Sequence, residues 1–137
     1  GNIIRNNSNL FQSNDAIRAL VQRVVELKER LNNRDISGLL NILSRSSIPP
    51  AAQQVHGKLM FTLSELATKK LSSFTARDIA MTVNALAKRH IRNPRVFDEM
   101  GEAAIGIADT FDSQALANTV NAFAKVNHRH PELCDAV

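Results

Sequence analysis

Apolar residues recur along this chain at helical spacing, and the recurrence is itself repeated. Ile79, Val83, Leu86 and Ala87 mark one side of a helix, because residues three and four apart share a face. Thr75 and Asp78 form an S/T-x-x-D/E start signal before it, and Asn93-Pro94 closes it and opens a second helix running to about Asp109. Sliding the chain by 37 residues lays Phe74 on Phe111, Thr82-Val83-Asn84-Ala85 on Thr119-Val120-Asn121-Ala122, Ala87-Lys88 on Ala124-Lys125 and Pro94 on Pro131. Such self-similarity at a fixed period is the mark of a repeat architecture.

A fainter copy lies 43 residues upstream, with Arg34-Asp35-Ile36 under Arg77-Asp78-Ile79 and Asn41 under Asn84; the 43 − 37 = 6 extra residues fit a loop around Ser46 to Pro50. Earlier still, Ala16 to Arg30 carries Ile17, Leu20, Val21, Val24 and Leu27 at helical spacing, where the second helix of a preceding unit belongs. In the last unit Asp112 or Ser113 is the expected N-cap, Leu116, Val120, Phe123 and Ala124 the apolar face, and His130-Pro131 the next helix start, as Pro49-Pro50 is in the first unit. No alternating strand pattern with hairpin turns occurs. The expected fold is therefore all-α, an α-solenoid of antiparallel helical hairpins with a repeat of about 37 residues. An irregular N-terminal arm covers 1–14, and one helical repeat domain covers 15–137, in units of about 15–30 (partial), 31–73, 74–110 and 111–137 (truncated). Since solenoids normally end in a polar cap, the truncated unit is expected to belong to a longer repeat protein or to be covered by a partner.

At 100° per residue Arg77, Met81, Asn84 and Lys88 fall on one narrow stripe opposite the apolar face. The stripe recurs as Arg34, Gly38, Asn41 and Arg45, and as Gln114, Asn118, Asn121 and Lys125. Each unit thus offers an Asn and, one turn on, a cation. Stacked side by side, these form rows of amides and positive charges suited to a nucleic-acid backbone and to base edges. Two local explanations compete with that reading: a repeated Asn bridges neighbouring helices, and a Lys in a last helical turn complements the helix dipole.

The composition narrows the function. Seventeen Lys and Arg against thirteen Asp and Glu give a net charge of +4, favouring an anionic partner. Lys88, Arg89, His90, Arg92 and Arg95 form the densest basic cluster, echoed by Lys125, His128, Arg129 and His130. There is no Trp or Tyr, and Phe74, Phe111 and Phe123 sit at core-like positions, so recognition through backbone and shape is favoured over base stacking. The single Cys134 excludes an internal disulfide and a multi-thiolate zinc site, and it is read as a small buried hydrophobe. His128 and His130 lack further ligands at metal spacing, and neither a G-x-x-x-x-G-K-[ST] nor a G-x-G-x-x-G motif occurs. No window is long and apolar enough for a membrane span, and Gly1 to Asn14 lacks the pattern of a secretory signal. A non-enzyme without metal, cofactor, membrane or small-molecule substrate is expected.

Thr82 to Pro94 (TVNALAKRHIRNP) and Ala115 to Val137 (ALANTVNAFAKVNHRHPELCDAV) resemble the 37- to 38-residue helical-hairpin repeats called heptatricopeptide and octotricopeptide repeats, also found in organellar RAP-domain and FAST-kinase-domain-type proteins. The resemblance covers about Phe74 to Val137 well and Asp35 to Leu71 faintly; a RAP domain is absent, and Asn84 and Asn121 replace the tryptophan common in algal members. It implies an α-solenoid that binds organellar RNA, and it is the source of a mitochondrial location. The expected protein is a non-catalytic component of a mitochondrial ribosome or other RNA–protein particle, with RNA, rRNA first, and neighbouring proteins as partners. Its RNA contacts are expected at Arg34, Asn41, Arg45, Arg77, Asn84, Lys88, Arg89, Arg92, Gln114, Asn118, Asn121, Lys125 and Arg129. The alternative is a solenoid scaffold that binds proteins without touching RNA.

Overall fold

The computed structural model describes residues 14–126. The arm preceding them, Arg129, both His128 and His130, and Cys134 lie outside the described residues. Those described form α1 (Asn14–Leu27), α2 (Asn33–Arg45), α3 (Gln53–Thr68), α4 (Ala76–Lys88), α5 (Pro94–Gly106) and α6 (Ser113–Lys125), with no strand among them.

Each helix start after α1, except that of α3, is fixed by a side-chain cap. Asn32 accepts from the Asp35 amide while the Asp35 carboxylate accepts from the Asn32 amide, and Thr75 and Asp78 repeat this reciprocal pair at α4. Asn93 accepts from the Val96 amide with Pro94 as the first helical residue. At α6 the cap is Asp112, which accepts from the Ala115 amide at 2.7 Å. Each such cap is worth about 1 kcal/mol, because it satisfies an N–H that the helix itself leaves orphaned. Pro49-Pro50 departs from the expected pattern: Pro49 is extended, as the residue before a proline must be, and Pro50–Ala52 makes a 3-10 turn before α3. Likewise α5 stops at Gly106 rather than near Asp109, because Ala108–Thr110 tightens into a 3-10 turn in which the Thr110 hydroxyl donates to the Ile107 carbonyl. The end of α4 is a Schellman turn: Ile91 N–H reaches Leu86 O at 2.9 Å and His90 N–H reaches Ala87 O at 3.1 Å, with His90 left-handed at φ 56°.

The helices sort into two rows. α2 lies against α4 and α4 against α6, while α1 lies against α3 and α3 against α5. Two hydrogen-bonded links show that α2 and α4 run in the same direction. Asn33 at the start of α2 donates to Asp78 near the start of α4, and Arg89 at the end of α4 donates to Ser44 O and Ser46 O at the end of α2. Between the rows lies the core, with Ile36 and Leu40 of α2, Met60 and Leu63 of α3, Ile79, Val83 and Leu86 of α4, and Phe97 and Met100 of α5.

The apolar face expected for α4 is buried in full. That of α6 is buried at Phe123, half-buried at Leu116 and Val120, and exposed at Ala124, although its counterpart Ala87 is buried. The difference is one of neighbours: α6 packs on α4, whereas no further described helix covers the far side of α6. Phe74 is buried, as a core position requires, but Phe111 is only half-buried.

Thr82 and Thr119 occupy the same repeat position and are both fully buried, yet only Thr119 satisfies its hydroxyl, by donating to Ala115 O at 2.8 Å. Thr82 Oγ1 has no partner. An orphaned buried hydroxyl carries its desolvation cost without return, so Thr82→Val is expected to raise the unfolding free energy by about 1 kcal/mol. Urea denaturation checks this, and a loss of stability would mean that the hydroxyl is bonded after all.

Candidate nucleic-acid interface

The N-terminal halves of α4 and α6, with Asn41 of α2, enclose an open groove of about 790 Å³. Its polar lining is Asn41, Arg77, Asn84, Gln114 and Asn118, with Thr75, Thr110 and Asp112 at one end and Met81, Phe74 and Ile107 supplying apolar surface. Ala76, Ala80 and Ala115 leave room for it. At the corresponding place between α2 and α4 the repeat carries polar groups that close the gap: Asn33 and Ser37 donate to Asp78 Oδ2 and Oδ1 at 2.6 and 3.0 Å. Ala115 stands where Asp78 stands in the preceding repeat, so that bridge is not made at α4–α6.

The stripe read from the sequence is thus only partly assembled into one site. Asn41, Arg77, Asn84, Gln114 and Asn118 converge on the groove. Arg34, Arg45, Lys88, Arg92, Asn121 and Lys125 are exposed and outside its lining. Arg45, Lys88 and Lys125 fall in the last turns of α2, α4 and α6, so the cations recur at one end of that row. None of these six cations and amides, nor any of the groove amides, has a side-chain hydrogen bond or ion pair among the described residues. The Asn row therefore does not bridge neighbouring helices there, and its amides are available to a ligand. The first turns of both α4 and α6 border the groove, where the helix dipole adds partial positive charge.

Arg89 has a different task from the one expected. Its Nε donates to Ser44 O at 3.1 Å and its terminal nitrogen to Ser46 O, so the guanidinium caps the carbonyl end of α2. His56 of α3 serves the same end, its Nε2 lying 3.0 Å from Leu43 O. Burial holds this imidazole below its ordinary pKa, opposed by the Leu43 hydrogen bond and aided by the positive charge of Arg89. The neutral ring therefore donates its Nε2 proton. Lys70 is used likewise, its Nζ donating to Lys28 O at 2.7 Å and to Leu31 O beyond the end of α1. A cation reaching back about 40 residues to cap a helix of its own row has no local signature in the sequence, which is why Arg89 reads as part of a basic patch. Arg95 is engaged too, with Glu65 and, at 3.1 Å, with Glu99. Lys88, His90 and Arg92 are left as the exposed members of that cluster without a side-chain partner among the described residues.

Among the described residues no group of three or more His, Cys, Asp or Glu is placed to hold a metal, and no helix is long and apolar enough to cross a membrane. Fold and site together define an all-helical protein in which one row of helices presents a groove of unpaired amides, with unpaired cations outside its lining on the same row. Residues 9–137 match the family model RESC6, RNA-editing substrate-binding complex 6 protein, and the chain belongs to that family. The curated proteins contain no match to it. The likeness to heptatricopeptide and octotricopeptide repeats stays a resemblance, since the matched family carries neither name.

Proposed function

We propose that this chain is a non-catalytic, RNA-contacting helical-repeat subunit of an RNA-editing substrate-binding complex, built as a short α-solenoid whose α2–α4–α6 row faces the RNA. The observation that carries the reading is the α4–α6 groove, where amides from three helices converge without protein partners. The family name supports the particle: of the mitochondrial ribosome or other RNA–protein particle of the sequence reading, an editing complex is the one that it favours. A mitochondrial location comes with that complex, which is mitochondrial in trypanosomes. The residues assigned to RNA are Asn41, Arg77, Asn84, Gln114 and Asn118 in the groove, and Arg34, Arg45, Lys88, Arg92, Asn121 and Lys125 outside its lining, with Arg129 extending the series in sequence.

In this reading the cations engage phosphates, and the amides hydrogen-bond sugars and base edges. Binding of the chain to a labelled single-stranded RNA is therefore expected to weaken steeply between 50 and 200 mM salt. Each phosphate contact to a single strand contributes about −0.7 to the log–log salt slope. Changing Arg45, Lys88 and Lys125 together to Gln should flatten that slope by about 2 and weaken binding at 50 mM at least tenfold, with circular dichroism unchanged. No binding of the unmodified chain at 50 mM would favour the second reading, a protein-binding scaffold, and an unchanged slope in the triple variant would remove these cations from the interface.

A further inference from the structure

The opposite row of helices carries a second groove, which the RNA reading does not use. It runs between α1 and α3 and encloses about 680 Å³, lined by Val21 and Gln22 of α1 and by Gln54, Val55 and Gly57 of α3. Arg18 and Lys58 stand on its two walls, and Phe61 lies at its margin with 43% of its surface exposed.

Two observations separate this face from an ordinary solvated one. First, α3 buries Leu59, Met60 and Leu63 in the core, so Phe61 is an additional apolar group on the side turned away from it. Val25 of α1, one turn beyond Val21 and outside the groove lining, is equally exposed and extends the apolar surface on the α1 side. Second, both cations of the groove lack an acidic partner among the described residues. Of the surrounding carboxylates, Glu26 holds Arg23 at 3.1 Å and Glu65 holds Asn93 and Arg95, while Asp15, one turn before Arg18 on α1, makes no ion pair with it.

We infer that the α1–α3 groove is a docking site for an acidic amphipathic helix of a partner protein, whose apolar ridge lies on Val21, Val25, Val55 and Phe61 and whose carboxylates meet Arg18 and Lys58. A lining of apolar side chains and two amides with two cations suits a helix laid in a groove; a nucleic-acid strand calls for denser positive charge. The inference stands independently of the RNA reading, since it uses the other row of helices. It gives the chain two working faces, so that a protein and an RNA are held at once.

The test uses the full chain and a fluorescein-labelled 16-residue peptide with Leu at i, i+3, i+4 and i+7 and Glu on the flanks, read by anisotropy. A control peptide carries Lys in place of each Glu. The acidic peptide should bind at least tenfold more tightly than the basic one. Phe61→Ala should weaken it at least tenfold, as should Arg18→Glu with Lys58→Glu, the latter also flattening the salt dependence. Both sets of sites are exposed, so the fold is retained and circular dichroism checks it. The Arg45, Lys88 and Lys125 to Gln variant should bind the peptide like the unmodified chain, which keeps this result separate from the RNA test. Equal binding of the two peptides, or indifference to Phe61→Ala, overturns the proposal. So does displacement of the peptide by an oligouridylate whose own binding needs Arg18 and Lys58, which would make the groove an RNA site. Self-association abolished by Phe61→Ala would assign it to a second copy and overturn the proposal equally.

Discussion

Phe97→Ala is expected to lower the unfolding free energy by 3–5 kcal/mol. Phe97 is 1% exposed on α5, and its ring meets Phe123 of α6 edge to face at a centroid separation of 5.1 Å. The pair joins the two rows of helices at their C-terminal end, so truncation leaves a cavity between elements that belong to different repeats. The edge-to-face geometry adds about 0.5–1.5 kcal/mol beyond buried area. A double-mutant cycle with Phe123→Ala in urea denaturation measures that part directly. Additive single losses would show that the rings merely fill space. Against the 5–15 kcal/mol typical of a domain, the single change is a large fraction of the total, and a clear loss of cooperativity at α6 should accompany it.

Asp78→Ala should cost about 3 kcal/mol. The carboxylate is 5% exposed and accepts from the Thr75 amide, from Asn33 at 2.6 Å and from Ser37 at 3.0 Å. Removing it deletes the carboxylate half of the α4 capping box, worth about 1 kcal/mol, and leaves the Asn33 and buried Ser37 donors of α2 unpaired. Its titration has a definite sign. Burial works to raise the pKa, but the hydrogen bonds from Asn33, from the Thr75 amide, from Ser37 and from the Thr75 side chain outweigh it and hold the group below the ordinary carboxylate value. A carboxylate depressed in the folded state contributes stability above its unfolded pKa of about 3.9, and that contribution disappears as pH falls through the lower folded value. The urea midpoint of the unmodified chain should therefore drop on acidification below about pH 4, and Asp78→Asn should show a shallower drop from a lower starting point. Equal acid sensitivity in both would place the titrating group elsewhere.

Asp78 also shows where a residue's chemistry was readable and where it was not. Its role in the cap follows from Thr75 three residues before it. Its second role, receiving Asn33 and Ser37 from α2, depends on a helix 41 to 45 residues away in sequence. Arg89 is the sharper case: beside Lys88 and His90 it counts as one more surface cation, and only the stacking of α4 on α2 turns it into a helix cap. Arg95 and Glu65 are matched in the same way, by the approach of α5 to α3. The groove follows the same logic from the other side. The amide stripe was visible as a period, but the space in front of it exists because Ala76, Ala80 and Ala115 meet where the preceding pair of helices has Asp78, Asn33 and Ser37. Nothing at Ala80 alone marks it as the wall of a groove.

By itself the sequence determined the helices, because caps and 3.6-residue periodicity act within a few residues of chain. It determined most of the α4 and core-facing burial for the same reason, since an apolar face has to be covered somewhere. Tertiary structure alone decided which cations stay free, which alanine of an equivalent pair is exposed, and which amides share one groove. Those outcomes depend on what the next-but-one helix brings into contact, and the free energy of a polar group is set by the partners and the water around it rather than by its own identity.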